Sequence, residues 1–310
     1  MKASVVVPTY NGRRFVGETI ASVRAQTMPD WELVVVDDGS TDATLDLLAE
    51  AAAADRRVRV LRQANGGIAA ARTAGLAATC SESEFVLFLD HDDVLRPDAL
   101  ATLIGALEAE PSAVAAQGIA SYIDGEGRLS RAGECEQECR SRGQLVGGRV
   151  RPLAPGQPAG FATIALWGCI MTMGLVVMRA RTVRQAGPFD GAMVPSDDWD
   201  MYLRIARSGD ILFVDRVTLH YRRHESNVSR NMHRVRAAQR RVMRKALASP
   251  ENSAEQARTL SEAFRASQRY FLAEKAGLAV GCLRRGDLAG AARQTIYSVR
   301  HAARYLRGRP

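Results

Sequence analysis

The chain has 310 residues, a net charge of +8 and a hydrophobic fraction of 46%. That hydrophobic fraction excludes a disordered or fibrous protein, and the length allows one large or two ordinary domains. Residues 1–230 hold 25 basic and 29 acidic side chains, net −4, whereas residues 231–310 hold 17 basic and 5 acidic, net +12. The larger part is therefore too acidic for a nucleic-acid coat, and no nucleic-acid partner is expected.

The first 120 residues alternate between short apolar runs and helical patterns. The runs predict strands that are buried on both faces, at Ala3–Val7, Leu33–Val36, Val58–Leu61, Phe85–Leu89 and Val114–Ile119. The predicted helices between them are Arg14–Gln26, Thr41–Ala54 with Ser40 or Thr41 as cap, Ile68–Thr79 and Pro97–Glu110. Strands that alternate with helices indicate βαβ units and an α/β, Rossmann-like, doubly wound and mostly parallel sheet.

The remaining residues are predicted to be irregular at first and all helical at the end. Residues 120–160 lose the alternation, and we expect a mobile excursion there. Further elements are predicted as strands at Met173–Met178, Ile211–Val214 and Thr218–Tyr221, and as helices at Arg179–Ala186, Trp199–Ser208, Asn231–Ala248, Ser253–Arg284 and Asp287–Arg307. The helices after residue 230 predict a C-terminal helical appendage.

Three features bear on the compartment of the protein. Met1 and Lys2 lead directly into a strand-like run, so no signal peptide is expected. Residues 161–178 carry no charge, but their glycines and threonines favour a buried loop and strand over a membrane span. The five cysteines are widely spaced, which is typical of a reducing compartment. We therefore expect a cytoplasmic protein.

Acidic residues cluster directly after two of the predicted strands. Asp37 and Asp38 follow the second strand, and Asp90, Asp92 and Asp93 follow the fourth. Ligands of open α/β sheets bind at the carboxyl ends of strands, so both clusters should face one crevice. Several like charges there require a cation, and carboxylate oxygens suit Mg²⁺ or Mn²⁺ that also binds ligand phosphates. Asp38, Asp90 and Asp92 are the candidates for this site.

A series of short motifs runs through the chain in one order. They are Pro8-Thr9-Tyr10-Asn11, Val36-Asp37-Asp38-Gly39-Ser40-Thr41-Asp42, Asn65-Gly66-Gly67 with Ala71-Arg72, Leu89-Asp90-His91-Asp92-Asp93, Gly187-Pro188-Phe189-Asp190, Asp197-Asp198-Trp199-Asp200 and Tyr221-Arg222-Arg223-His224. In order and spacing the series resembles the family-two, GT-A-fold inverting glycosyltransferases of bacterial polysaccharide and glycoconjugate synthesis. The resemblance covers about residues 3–226 and implies a GT-A fold.

The resemblance implies a binding site for a nucleotide-sugar donor. The residues it assigns to this site are Pro8, Thr9, Tyr10, Asp38, Asn65, Arg72, Asp90, His91 and Asp92. Asp38 would accept a hydrogen bond from the imide of the base, which favours a UDP-sugar and leaves dTDP- and GDP-sugars open. Arg72 would reach the uridine or the diphosphate side as a fixed cation, with an exposed arginine on the helix surface as the alternative.

The resemblance also implies a divalent metal ion, Mn²⁺ or Mg²⁺, beside the diphosphate. Asp92 would coordinate the ion, and Asp90 would contact the ribose or a metal-bound water. His224 is a further candidate ligand, with a hydrogen bond inside its own loop as the alternative, and an imidazole suits Mn²⁺ better than Mg²⁺. Either Arg222 or Arg223 is expected to neutralise phosphate, with surface charge as the alternative for at least one of them.

The catalytic base implied by the resemblance is Asp198. A carboxylate there can take the proton of an acceptor hydroxyl as it attacks the anomeric carbon, and direct displacement would invert that carbon. Asp197 stands where the family has Glu, which leaves its orienting role open. The alternative role for Asp198 is an N-cap on the helix that begins at Trp199, which is compatible with catalysis. Asp200 is expected to support the site, and Trp199 either packs against a sugar face or lies in the core.

The domain prediction follows from the motifs. Residues 1–230 are predicted as a GT-A domain, with a nucleotide-binding half at 1–118 and an acceptor and catalytic half at 119–230, followed by a basic helical region at 231–310.

The last predicted helix places Leu288, Ala292, Ile296, Val299 and Leu306 on one face and Arg293, Arg300, Arg304 and Arg307 on another. Two hypotheses remain open for residues 286–310: peripheral contact with the inner face of the membrane, or docking on neighbouring helices.

Three functions compete. The first is a metal-dependent, inverting glycosyltransferase (EC 2.4) that acts on a saccharide, lipid-linked or other small-molecule acceptor. The second is a sugar nucleotidyltransferase, which needs a glycine-rich basic loop after the first strand that Val7–Gly12 lacks. The third is an inactive glycan- or membrane-binding scaffold, which the intact set of Asp38, Asp90, Asp92 and Asp198 disfavours.

Overall fold

A computed structural model describes residues 1–141, 143–146, 149–154, 157–166 and 170–306. The strands in these ranges are β1 (Ala3–Thr9), β2 (Trp31–Asp37), β3 (Val58–Arg62), β4 (Phe85–Phe88), β5 (Val94–Leu95), β6 (Ala115–Ile123), β7 (Gly143–Val146), β8 (Arg149–Pro152), β9 (Pro158–Ala159), β10 (Val176–Arg179) and β11 (Ile211–Arg222). The helices are α1 (Val16–Arg24), α2 (Thr44–Ala54), α3 (Ile68–Ala78), α4 (Ala99–Ala109), α5 (Glu134–Ser141), α6 (Phe161–Ala165), α7 (Ala180–Ala186), α8 (Asp197–Ile205), α9 (Met232–Ala248), α10 (Ala254–Arg284) and α11 (Leu288–Leu306).

One mixed sheet forms the centre of the molecule. Its strand order is β3-β2-β1-β4-β10-β6-β11-β5, and β9 also pairs with β11. Strands β1 to β4 run parallel, as does the β6–β11 pair. Strand β10 is reversed between β4 and β6. The predicted mostly parallel α/β sheet is therefore confirmed, with β10 reversed at its middle and the short strands β5 and β9 antiparallel to β11.

The strands follow from apolar runs that are buried on both faces. Every residue of β1, β2 and β6 is buried, as expected for a sheet covered by helices on both sides. Helix α3 packs so closely on this sheet that a Cβ added at Gly75 would stand only 2.3 Å from Val6 Cγ1. This close approach sets the position of Arg72, one turn earlier on α3.

The middle of the chain departs from the predictions. Within the described residues of 120–160 the structure has regular elements where the sequence indicated none, because β6 continues to Ile123 and α5 follows with Cys135 and Cys139 buried. The two strands predicted at 211–221 are one strand, whose register shifts between Phe213 and Leu219 interrupt the apolar pattern. Residues 161–166 and 170–178 form α6, a short 3₁₀ turn and most of β10, and residues 167–169 lie outside the described part.

The predicted cap of the second helix is also wrong. Helix α2 begins at Thr44, and its N–H donates to Asp42 Oδ1 at 3.0 Å. Ser40 and Thr41 instead contact the loop after β1. Ser40 Oγ accepts from the N–H of Asn11 at 2.9 Å, and the Thr41 N–H donates to Asn11 Oδ1 at 2.9 Å. These two polar residues therefore join two loops at the carboxyl edge of the sheet.

The C-terminal helices pack on one another and on the body. Helix α10 is continuous and begins with a capping box between Ser253 and Gln256. Helix α9 is tied to the body by Lys245, whose Nζ lies 2.8 Å from Asp190 and 2.9 Å from Asp200. Arg307, the predicted end of the last helix, lies outside the described residues. In the part that is described, no helix is both long and apolar enough to cross a membrane.

Candidate active site

The loops after β1, β2 and β3 meet because their strands are parallel and in register. Thr9 pairs with Asp37, and the N–H of Asp38 donates to the carbonyl of Thr9 at 2.8 Å. Gly39 has φ +78, and a Cβ there would stand 3.0 Å from the backbone nitrogen of Asn65. A glycine is therefore needed where the second loop passes the third.

Asp38 is buried and accepts three hydrogen bonds from the third loop. Its Oδ1 accepts from Gln63 Nε2 at 2.7 Å and from the N–H of Gly66 at 2.8 Å, and its Oδ2 accepts from the N–H of Gly67 at 2.8 Å. These bonds fix the loop ahead of α3. Oδ2 accepts only one bond from the described residues, and a carboxylate oxygen can accept two.

The other residues predicted around the base differ in exposure. Pro8 and Thr9 are buried at the end of β1, whereas the Tyr10 side chain is 47% exposed and Asn65 is exposed. Tyr10 therefore offers an accessible aromatic face beside the Asp38 loop.

Arg72 links the loop after β4 to the start of α8. Its Nη2 donates to Asp90 Oδ1 at 2.7 Å, and its Nη1 donates to Asp197 Oδ2 at 2.6 Å. Burial opposes the charge, but the two carboxylates raise the pKa of the guanidinium. Thr172 also donates to Asp90 Oδ2, at 3.4 Å. Arg72 is thus buried between two acidic groups.

Asp92 forms a separate pair with His224. Asp92 Oδ2 and His224 Nε2 lie 2.7 Å apart, and Ser226 Oγ lies 2.8 Å from the other ring nitrogen of His224. Burial is the largest influence and raises the pKa of Asp92, but the hydrogen bond with His224 and the charges of His91 and His224 together lower it below its ordinary value. The His91 ring lies beside the loop after β1, since a Cβ at Gly12 would stand 3.0 Å from it.

The Asp92–His224 pair fits a divalent ion of the Mn²⁺ type. A carboxylate oxygen and an imidazole nitrogen already face each other, and both are ligands that Mn²⁺ accepts. Among the described residues, no group of three or more His, Cys, Asp or Glu side chains is arranged to hold a metal ion. Asp92 and His224 would therefore be only a partial ligand set, which phosphate oxygens would have to complete.

Asp198 lies in the first turn of α8, beside Asp197. Burial and the negative charge of Asp197 raise the pKa of Asp198 to about 7, although Arg72 and the N–H of Trp199 act in the opposite direction. The helix begins at Asp197, two residues before the predicted start, so Asp198 is not its N-cap. The first turn carries three acidic residues, and negative charge at this end of a helix interacts favourably with the helix dipole.

Trp199 and Asp200 hold α8 in place. The indole Nε1 of Trp199 donates to the carbonyl of Ile164 at 2.7 Å, and the side chain is buried. Asp200 accepts from Lys245 at 2.9 Å and from Arg204 Nε at 3.1 Å. Both side chains thus pack or pair inside the protein. They support the helix that carries Asp198.

The structure groups the predicted residues into three units. Asp38 belongs to the loop ahead of α3, Arg72 joins Asp90 to Asp197, and Asp92 pairs with His224. The short loop after β4 connects the last two units. Thr172 carries no motif signal and was missed, as were Phe15 and the buried position of Arg222 described below.

The architecture and the motif positions are those of a GT-A fold. S. aureus TarS 1–349 in complex with UDP-GlcNAc aligns with 100% of the chain and 93% of its own, at 18% identity and a TM-score of 0.66. The mannosyltransferase PcManGT of Pyrobaculum calidifontis in complex with GDP-Man and Mn²⁺ aligns with 98% of the chain and 87% of its own, at 18% identity and a TM-score of 0.63. These likenesses confirm the predicted fold.

The family follows from the sequence comparison. The model described as "Glycosyl transferase family 2" matches residues 4–165, and the chain belongs to this family of glycosyltransferases. The teichuronic acid biosynthesis glycosyltransferase TuaG of Bacillus subtilis, named as putative, is 40% identical over 98 residues, 31% of the chain and 38% of the relative. Succinoglycan biosynthesis protein ExoW of Rhizobium meliloti is 44% identical over 101 residues, 32% of each. The chain thus spans less than half the length of these relatives.

Proposed function

We propose that the protein is a metal-dependent, inverting glycosyltransferase that uses a nucleotide-diphosphate sugar, with a UDP-sugar favoured. The observation that carries this proposal is the series of carboxylates at the carboxyl edge of the sheet, joined by Arg72 and ending at Asp198. Family membership and the TarS and PcManGT folds support the reaction class. The relatives TuaG and ExoW, named for teichuronic acid and succinoglycan biosynthesis, support a role in cell-surface glycan synthesis.

In the proposed reaction, Asp198 is the base. The acceptor hydroxyl oxygen forms a bond to the anomeric carbon, its proton passes to Asp198, and the bond from that carbon to the diphosphate oxygen breaks. Attack opposite the leaving group inverts the carbon. A carboxylate with a pKa near 7 is half ionised at neutral pH, which suits this proton transfer. Arg72 holds Asp197 beside the base and fixes its charge environment.

The diphosphate end of the donor is assigned to Asp90, Asp92 and His224. Asp92 and His224 would hold the divalent ion, and Asp90 would face the ribose or the ion's water. When bound, the ion supplies positive charge that stabilises the departing diphosphate. Tyr10 and Asp38 are assigned to the base. The PcManGT complex with GDP-Man and Mn²⁺ supports the binding of a donor and an ion by this fold. Because its donor is a GDP-sugar, GDP-sugars are included in the donor screen described next.

A donor screen tests this function. UDP-, dTDP- and GDP-sugars, each with Mn²⁺ or Mg²⁺, are added to the full chain, and the melting temperature and released products are measured. We expect a UDP-sugar with Mn²⁺ to give the largest rise in Tm, since a ligand at a hundred times its Kd adds about 2.7 kcal/mol, and to release UDP. Release of pyrophosphate would instead support a nucleotidyltransferase. A chain that responds to no donor would support an inactive scaffold.

Peripheral membrane contact is proposed for α11 within residues 286–310. Leu288, Ile296 and Val299 are 71%, 54% and 62% exposed, lie on one helix face, and accompany the +12 charge of residues 231–310. The side chains of Arg300, Arg304 and Leu306 lie outside the described part. Replacing Leu288, Ile296 and Val299 with Ser is expected to weaken sedimentation with anionic vesicles at least about tenfold. Leu129→Ser, at an exposed site in the body, is the control, and equal binding by the triple variant would support docking instead.

A further inference from the structure

Arg222 ends strand β11, and its side chain is fully buried. Its Nε donates to the carbonyl of Asp92 at 2.8 Å, its Nη2 to Glu18 Oε2 at 2.6 Å, and its Nη1 to the carbonyl of Asp124 at 3.2 Å. Its backbone N–H donates to Asp93 Oδ1 at 3.0 Å. The guanidinium thus joins α1, the loop after β4 and the turn after β6. With these contacts and 0% exposure it does not face a phosphate.

Arg222 is also connected to His224, the second member of the Asp92–His224 pair, through Phe15 and Asn227. The Phe15 ring centroid lies 4.8 Å from the Arg222 guanidinium carbon and 4.9 Å from the His224 ring centroid. The Arg222 carbonyl accepts from Asn227 Nδ2 at 3.2 Å, and Asn227 Oδ1 accepts from the N–H of His224 at 2.6 Å. Both halves of the pair are therefore connected to one buried residue.

We propose that Arg222 is a positioning residue, which holds the Asp92 carboxylate and the His224 imidazole together for a divalent ion without touching the ion or the donor. The inference rests on the proposed function. Asp92 approaches through the loop after β4 and His224 through the segment after β11, 132 positions apart in sequence. Since the chain supplies only a partial ligand set, small displacements of either group should weaken metal binding strongly. The three acceptors bond to three different nitrogens of one planar guanidinium, and the single nitrogen of a lysine ammonium cannot occupy those three positions.

The test compares Arg222→Lys with Arg216→Lys on the same strand, where Arg216 is 69% exposed and 3.9 Å from Asp98. Mn²⁺ affinity is measured by electron paramagnetic resonance with saturating UDP, UDP affinity without metal by calorimetry, and Tm separately. We expect Arg222→Lys to weaken Mn²⁺ binding at least about tenfold, to leave metal-free UDP binding unchanged, and to recover kcat at high Mn²⁺. Arg216→Lys should match the wild type in all of these measurements.

Phe15→Leu is the second variant, in case Arg222→Lys does not fold. It keeps an apolar side chain and removes the ring between Arg222 and His224, so it should also weaken Mn²⁺ binding more than metal-free UDP binding. Wild-type Mn²⁺ affinity in either folded variant overturns this inference, as does an equal loss of metal-free UDP binding. Absence of Mn²⁺ binding by the wild type with UDP instead overturns the metal part of the proposed function, and this inference with it.

Discussion

Replacing Asp198 with Asn is expected to lower kcat for sugar transfer by about 10²- to 10⁴-fold, the range over which a positioned general base acts. Asn keeps the size of the side chain but cannot take the proton of the acceptor hydroxyl. Asp198 is not assigned to the donor, so the Kd for UDP with Mn²⁺ should stay within about threefold of the wild type. Release of nucleoside diphosphate measures the rate, and calorimetry measures the affinity.

The pH profile gives this prediction a second measurement. Burial and the charge of Asp197 raise the pKa of Asp198 to about 7. The base works in its ionised form, so kcat/KM should fall about tenfold for each pH unit below about pH 7 and level off above it. Unperturbed carboxylates would place this limb near pH 4. A limb there, or full kcat in Asp198→Asn, would contradict the role of Asp198 as base.

Asp197→Asn is the matched comparison for Asp198→Asn. It removes a negative charge that opposes ionisation of Asp198, so the acidic limb should move to lower pH. It also removes a buried partner of Arg72, 2.6 Å away, so Tm should fall more than in Asp198→Asn. An unchanged limb in a folded Asp197→Asn protein would show that Asp197 does not set the charge environment of the base.

The sheet and the position of the site are predictable because they depend on local patterns. Leu33–Val36 reads as a continuous apolar run, and strand β2, which contains it, is buried along its whole length. Asp38 and Asp90 follow strands, and parallel strands bring their ends to one edge. The resemblance to family-two enzymes rests on these same residues and is confirmed by the family match at residues 4–165. Sequence periodicity and motif order therefore suffice for fold class and family.

The pairings inside the site are not predictable in this way. Arg72 and Asp197 are 125 positions apart, and nothing local to either residue indicates that they form an ion pair. Arg222 reads as surface charge or a phosphate ligand, yet Asp92, Glu18 and Asp124 together bury it. A buried arginine needs partners on several elements, which only the assembled fold provides. The assigned roles of the site residues themselves stay predictions until variants are measured.

Replacing Asp92 with Asn is expected to have the second large effect, a loss of metal-dependent transfer. The amide lacks the negative charge that an ion of charge +2 requires, and His224 alone is a weak site. Because a bound ion contributes several kcal/mol to the stabilisation of the departing diphosphate, kcat/KM for the donor should fall at least about 10²-fold. Mn²⁺ titrations followed by electron paramagnetic resonance, with UDP present, should show weakened binding of the ion in the same variant.

Asp90→Asn separates the two carboxylates of the motif. Asp90 Oδ1 bonds to Arg72 at 2.7 Å, whereas Asp92 Oδ2 lies 2.7 Å from His224, so the two changes disturb different units. We expect Asp90→Asn to weaken donor binding while Mn²⁺ affinity stays within about tenfold of the wild type, and Asp92→Asn to reduce Mn²⁺ affinity further than that. If both variants bind Mn²⁺ like the wild type, the ion is not held by this loop. If Asp90→Asn alone loses the ion, Asp90 is the ligand and Asp92 serves to orient His224.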